Sequence, residues 1–177
     1  MTELLMKATS PGYTPEQLSA ELQTDSSADV RRRRAIVGVS MAGTVAMGLV
    51  SLLQTGIVRH LPDPPTRKPN FNTDKVNSSR EAYGYGMPDG PLTMLLHSAN
   101  LALAAAGPAD RAERRPYLPV AATLFSGVQA AVAAKYLFYT MPRVDKAWCP
   151  YCITDALTHF ATFGLTIPET LRALRKK

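Results

Sequence analysis

Polar and apolar positions are strongly segregated along the chain. Residues 1–34 are polar, and residues 35–58, AIVGVSMAGTVAMGLVSLLQTGIV, run for 24 positions without a charge. About 20 apolar residues in a helix cross a bilayer core, so this stretch is long enough to span. Its many Gly, Ala and Ser residues suit close helix packing in lipid. Three further stretches follow, at 90–107, 117–141 and 148–168. Their polar residues include His97 and Asn100 in the first, Lys135 in the second, and Asp155 and His159 in the third. An ordinary amphipathic helix carries a face full of Lys and Glu, which none of them has. The pattern predicts an all-α integral membrane four-helix bundle over residues 35–172. Its spans lie at about 35–58, 90–107, 117–141 and 148–168. A soluble helical bundle with unusually apolar surfaces is the alternative.

The first ten residues, MTELLMKATS, lack the apolar run of a cleavable signal peptide. Thr14-Pro15-Glu16-Gln17 has the form of a capping box with Pro at the first helical position. It predicts a short helix carrying Leu18 and Leu22, with a disordered tail holding one transient turn as the alternative. Residues 59–89 form a loop of 31 residues rich in proline, long for a mere connection. Tyr83, Tyr85 and Met87 near its end are placed to fold back on the helices.

Charge orients the spans. The chain carries 20 Lys+Arg against 14 Asp+Glu, a net charge of +6. With the N-terminus in the cytoplasm, twelve basic residues fall inside: Lys7, Arg31 to Arg34, Arg111, Arg114, Arg115, Arg172, Arg175, Lys176 and Lys177. Seven fall outside: Arg59, Arg67, Lys68, Lys75, Arg80, Arg143 and Lys146. The inner ones abut span ends or fill the short second loop, as the positive-inside rule requires. Both termini are therefore expected in the cytoplasm, 1–34 as a polar tail and 173–177 as a basic one. The loop 59–89 is expected outside a multi-pass inner or plasma membrane. The Arg31–Arg34 run, next to an apolar stretch, reads as a membrane flank, so lipid rather than nucleic acid is the expected contact.

The clearest chemical feature is Trp148-Cys149-Pro150-Tyr151-Cys152, which holds both cysteines of the chain. A dithiol at a helix start suits redox chemistry, because unpaired N–H groups and the positive dipole end stabilise a thiolate. Cys149 is then the exposed attacking thiol and Cys152 the resolving one. Two buried free thiols, or half of a zinc site, are the alternatives. The remaining candidate ligands are scattered, so no metal is assigned. Asp155 and His159 follow Cys152 at i+3 and i+7, on one helix face. Lys135 lies ~10 Å below the outer end of its span, at a depth that allows a pair with Asp155. His97 and Asn100 also fall in the outer half, although each alone suits an interhelical hydrogen bond.

These features together resemble the vitamin K epoxide reductase family of membrane thiol oxidoreductases, over roughly residues 31–170. The resemblance rests on the basic flank and first span and on the loop FNTDKVNSSREAYGYGMPDGPL. It also rests on Gly86-Met87-Pro88 before the second span and on Cys149-Pro150-Tyr151-Cys152 opening the fourth. It implies a four-helix bundle around a quinone, menaquinone or ubiquinone. The fourth-helix pair passes electrons to it, with Cys152 adjoining the quinone and Cys149 its disulfide partner. It implies a thioredoxin-like or other extracytoplasmic thiol protein as partner, and a second-helix Asn near the quinone, here Asn100. Family members usually carry two more cysteines in the outer loop. This loop has none, and Ser78 and Ser79 stand about where the second is expected.

The expected function is therefore transfer of electrons from a thiol partner through Cys149 and Cys152 to a quinone. Asn100, His97, His159 and Asp155 are the candidate cofactor-binding residues. The alternative is a non-enzymatic member that binds a quinone, another isoprenoid or a membrane partner. A metal-binding membrane protein using the cysteines and a histidine is a third reading.

Overall fold

The computed structural model describes residues 13–66 and 69–175. Of the charges placed above, Lys7, Arg67, Lys68, Lys176 and Lys177 lie outside the described residues. The described chain is helical and contains no strand, only an isolated bridge between Phe71 and Trp148. Helix α1 spans Pro15–Thr24 and opens on the capping box: the Gln17 N–H donates to Thr14 Oγ1 at 3.3 Å, and the Thr14 N–H to Gln17 Oε1 at 3.0 Å. The transient-turn alternative is thus replaced by a helix.

Helix α2 spans Ala28–Gln54 and begins seven positions before the apolar stretch. Ser27 caps it, accepting from the Val30 N–H. The arginine run lies inside the helix, and its members differ in environment. Arg33 is buried and donates to the carbonyls of Ala104, Ala106, Gly107 and Pro108 at 2.7–3.2 Å. These include orphan carbonyls at the C-terminal end of α4, which spans Asp89–Ala105. Arg34 reaches the Leu22, Gln23 and Asp25 carbonyls and holds α1 against α2.

A short helix, α5 (Arg111–Arg114), leads to α6 (Tyr117–Lys135), which continues as a π-helical segment over Tyr136–Asp145. Helix α7 spans Pro150–Arg175, seven residues past the apolar stretch and through Pro168. Its extra turns are held by buried polar contacts. Arg111 forms a bidentate pair with Glu169, both bonds 2.8 Å, and Thr170 donates to the Pro119 carbonyl at 2.7 Å. Arg172 pairs with Asp29 at 2.7 Å. One end of the molecule thus gathers the start of α2, the end of α4, α5 and the end of α7. The other end gathers the end of α2, the start of α4, the start of α7 and the 59–88 loop.

Helix α2 packs broadly against α4 and α7, and α7 against α6, whereas α4 and α6 meet only lightly. A cleft is left between those two. The outward faces are apolar: Val37, Met41, Val45 and Leu49 form an exposed i+4 stripe on α2, and Leu124, Val128 and Val132 continue the pattern on α6. Among the described residues, two helical stretches, Ala28–Gln54 and Tyr117–Asp145, are long and apolar enough to cross a membrane.

Candidate redox site

The loop is folded over the start of α7. The Asn72 N–H donates to the Trp148 carbonyl and the Trp148 N–H to the Asn70 carbonyl, each at 2.9 Å. A five-residue helix, α3 (Thr73–Asn77), follows; Asp63 accepts from the Thr73 N–H and hydroxyl. Tyr83 donates to the Gln54 carbonyl at 3.1 Å, and Tyr151 to the Pro62 carbonyl at 3.2 Å, whereas the side chains of Tyr85 and Met87 are exposed.

Cys149 and Cys152 are joined as a disulfide with Cα atoms 5.2 Å apart. Cys149 immediately precedes the first residue of α7, and its Sγ accepts from the Cys152 N–H at 3.1 Å. The first cysteine therefore sits among the unpaired N–H groups of a helix start, as expected. Its expected exposure is corrected: Cys149 is 0% exposed and Cys152 7%. The bridged segment at Phe71 and Trp148 and the buried Val76 and Asn77 cover the pair. Asn77 lies against both sulfurs, with its amide nitrogen 3.4 Å from Cys149 Sγ and its oxygen 3.5 Å from Cys152 Sγ. Ser78 is exposed and Ser79 half-buried, so the loop residue at the disulfide is Asn77. Its place one position before the serines was the only sequence signal for it.

Cys152 opens onto a cavity of about 360 Å³ between α4 and α6. Leu92, Leu96, Phe125, Val128, Val132 and Met47 give it apolar walls, and Gln129, Tyr136, Asp155 and His159 contribute polar groups. This size and lining suit a small, mostly apolar ligand. The candidate residues divide into two layers. Asp155 and His159 line the cavity; His97 and Asn100 stand behind it. The His97 Nε2 lies 2.8 Å from one Asp155 oxygen and the His159 Nε2 3.5 Å from the other. The two imidazoles stack with centroids 4.5 Å apart. Gly43 permits this, since a Cβ there would stand 2.2 Å from His97 Nε2. Asn100 and Gln129 exchange two amide hydrogen bonds, at 2.9 and 3.3 Å, which present Gln129 to the cavity.

The Lys135–Asp155 pair allowed by depth is not formed. Asp155 faces the histidines, while Lys135 is exposed and lines the same cavity. Gln129 and Tyr136 are among the cavity residues that the sequence did not single out. Gln129 was visible as a polar residue in an apolar stretch. Tyr136 had no signal: it begins the π-helical segment and its buried hydroxyl has no hydrogen-bond partner.

His60 and Asp74 pair on the loop surface. The Asp74 hydrogen bond, then its charge, raises His60 above the usual histidine range. Because the folded value is raised, the pair's contribution is complete below the unfolded value, ~6.5, and fades as pH rises through the folded one. Hydrogen exchange, corrected for its intrinsic pH dependence, should show protection of residues 60–66 and 69–77 falling over that range. His60→Ala should remove that pH dependence; an unchanged profile in the variant would assign it to another group.

The described residues form a helical protein with a disulfide at a helix start beside a largely apolar cavity. The chain belongs to the vitamin K epoxide reductase family, whose model matches residues 34–167. Comparison with curated proteins and with solved structures gave no match. Members of the family are membrane-embedded oxidoreductases that act on quinones, and membership points to a thiol-dependent quinone oxidoreductase in general.

Proposed function

We propose that this chain is a four-span membrane thiol–quinone oxidoreductase, with α2, α4, α6 and α7 as the spans. The observation that carries the reading is the opening of Cys152 onto the cavity between α4 and α6. The exposed apolar stripes on α2 and α6 support immersion in lipid. Arg33, Arg111 and Arg172 meet at one end of the helices and support cytoplasmic termini, with the 59–88 loop outside.

The electron path then balances as follows. A thiolate of an extracytoplasmic, thioredoxin-like dithiol attacks Cys149 Sγ, breaking the Cys149–Cys152 bond and releasing Cys152 as thiolate. The partner's second thiolate breaks the mixed disulfide, which leaves the partner oxidised and both chain cysteines reduced. Re-forming the Cys149–Cys152 bond delivers two electrons and two protons to a quinone in the cavity, giving the quinol. Asn77 donates to Cys149 Sγ, a contact that favours the thiolate. Gln129 and the unpartnered Tyr136 hydroxyl are donors for the quinone oxygens. Asp155 and His159 add polar contacts, with Asn100 and His97 holding Gln129 and Asp155 from behind. Attack on the covered Cys149 requires the loop around Asn72 and Asn77 to lift.

That same cover favours a second reading, in which the disulfide is structural and the cavity binds a quinone or isoprenoid without turnover. Reduced protein mixed anaerobically with a short-chain quinone separates the two. One quinol per dithiol is expected, and none supports the second reading. For topology, a cysteine placed at Ser78 in a Cys149→Ser/Cys152→Ser background should react with an impermeant maleimide on intact cells. Labelling only after lysis would overturn the arrangement.

A further inference from the structure

The disulfide and the apolar walls do not account for two buried histidines and a half-buried aspartate gathered at the cavity wall. One nitrogen of His97, one of His159 and one carboxylate oxygen of Asp155 all lie within 4.8 Å of one another. The side chains are 0%, 5% and 15% exposed. Hydrogen bonding within the protein engages only one nitrogen of each ring. Both Nδ1 atoms are buried and unpartnered. Three carboxylates, Glu81, Asp89 and Asp155, line the cavity beside a single lysine, Lys135.

The geometry points to a divalent transition-metal site formed by His97, Asp155 and His159. Two imidazoles and one carboxylate form the donor set of open Zn²⁺ and non-haem Fe²⁺ centres. Donor atoms within 4.8 Å of one another can close around an ion at ~2.1 Å by side-chain shifts of about an ångström. The backbone supports the placement. Asp155 and His159 are one turn apart on α7, and α4 brings His97 against Gly43, where a side chain would displace it. Asp155 and His159 line the cavity, so the open coordination positions face it. They would take an oxygen donor, water or the carbonyl of a cavity ligand. The inference stands apart from the quinone reading, since the ion needs neither the thiols nor a bound ligand.

The test uses the full chain in detergent, stripped of metal and with the Cys149–Cys152 pair oxidised, so that no thiolate competes. Titration with Co²⁺ should give visible d–d bands saturating at one equivalent per chain and abolished by Zn²⁺. His97→Gln and Asp155→Asn should each weaken binding by at least about 10-fold. Asp155→Glu, which keeps the carboxylate, should retain the bands, and circular dichroism should show unchanged helix content in all three. Absence of bands in the unmodified protein, or equal affinity in the His97 and Asp155 variants, overturns the site. Bands that require reduced cysteines assign the ion to the thiols and overturn it too. None of these readings involves quinone, so failure here leaves the electron path separately testable.

Discussion

Cys152→Ser should reduce quinone-linked thiol oxidation to the level of a protein-free control, with helix content and quinone binding retained. A serine oxygen cannot form the bond whose closure releases the electrons. Cys152 is also the sulfur of the pair that lines the cavity. Cys149→Ser should be equally inactive in turnover, but it leaves a thiol facing the cavity. The two variants then differ in alkylation: the Cys149→Ser protein should react with an apolar maleimide at Cys152, and that reaction should slow when quinone fills the cavity. Full activity in Cys152→Ser would contradict the electron path. A Cys152 thiol that quinone does not protect would contradict the placement of quinone beside it.

The largest expected stability effect lies at the other end of the molecule. Arg111→Met should destabilise the fold by about 3–5 kcal/mol, because it leaves the Glu169 carboxylate buried without its partner. Arg111 is 1% exposed and Glu169 3%, and two 2.8 Å bonds join them. The double variant Arg111→Met/Glu169→Met should recover most of the loss, since no isolated charge remains. Recovery should be incomplete, because Arg111 also serves the Leu103 and Ala106 carbonyls near the end of α4. Thermal unfolding in one detergent at one pH measures all three. Equal destabilisation of the single and double variants would mean that the carbonyl contacts, and not the ion pair, dominate.

The helices were legible in the sequence because apolar runs without charges leave few other conformations that satisfy the backbone in lipid. Their ends were less so. Helix α2 starts at Ala28 and not at Ala35 because the arginine run is helical, with Arg33 turned inward onto α4. Helix α7 passes Pro168 because Glu169 and Thr170 gain buried partners beyond it. Such contacts join residues far apart in sequence, and periodicity carries no trace of them. The same holds at the site. Spacing alone placed Cys152, Asp155 and His159 on one face, and the structure keeps them there. Which side chain faces Asp155 depends on how α4 and α6 lie against α7, so His97 could not be chosen over Lys135 beforehand. Asn77 and Tyr136 were hidden for the same reason: one is carried to the sulfurs by a loop, the other turned by a π-helical segment.

The central claim, that the Cys149–Cys152 pair delivers electrons to quinone without loop cysteines, is tested most directly by a mass shift. Purified protein is reduced, freed of reductant and held anaerobically with or without quinone, then alkylated. Without quinone, both cysteines should carry the label. With quinone, neither should, the mass should fall by two hydrogens, and the Cys149–Cys152 peptide should be cross-linked. Two labelled thiols after exposure to quinone, in protein that a chemical oxidant still cross-links, would contradict the account.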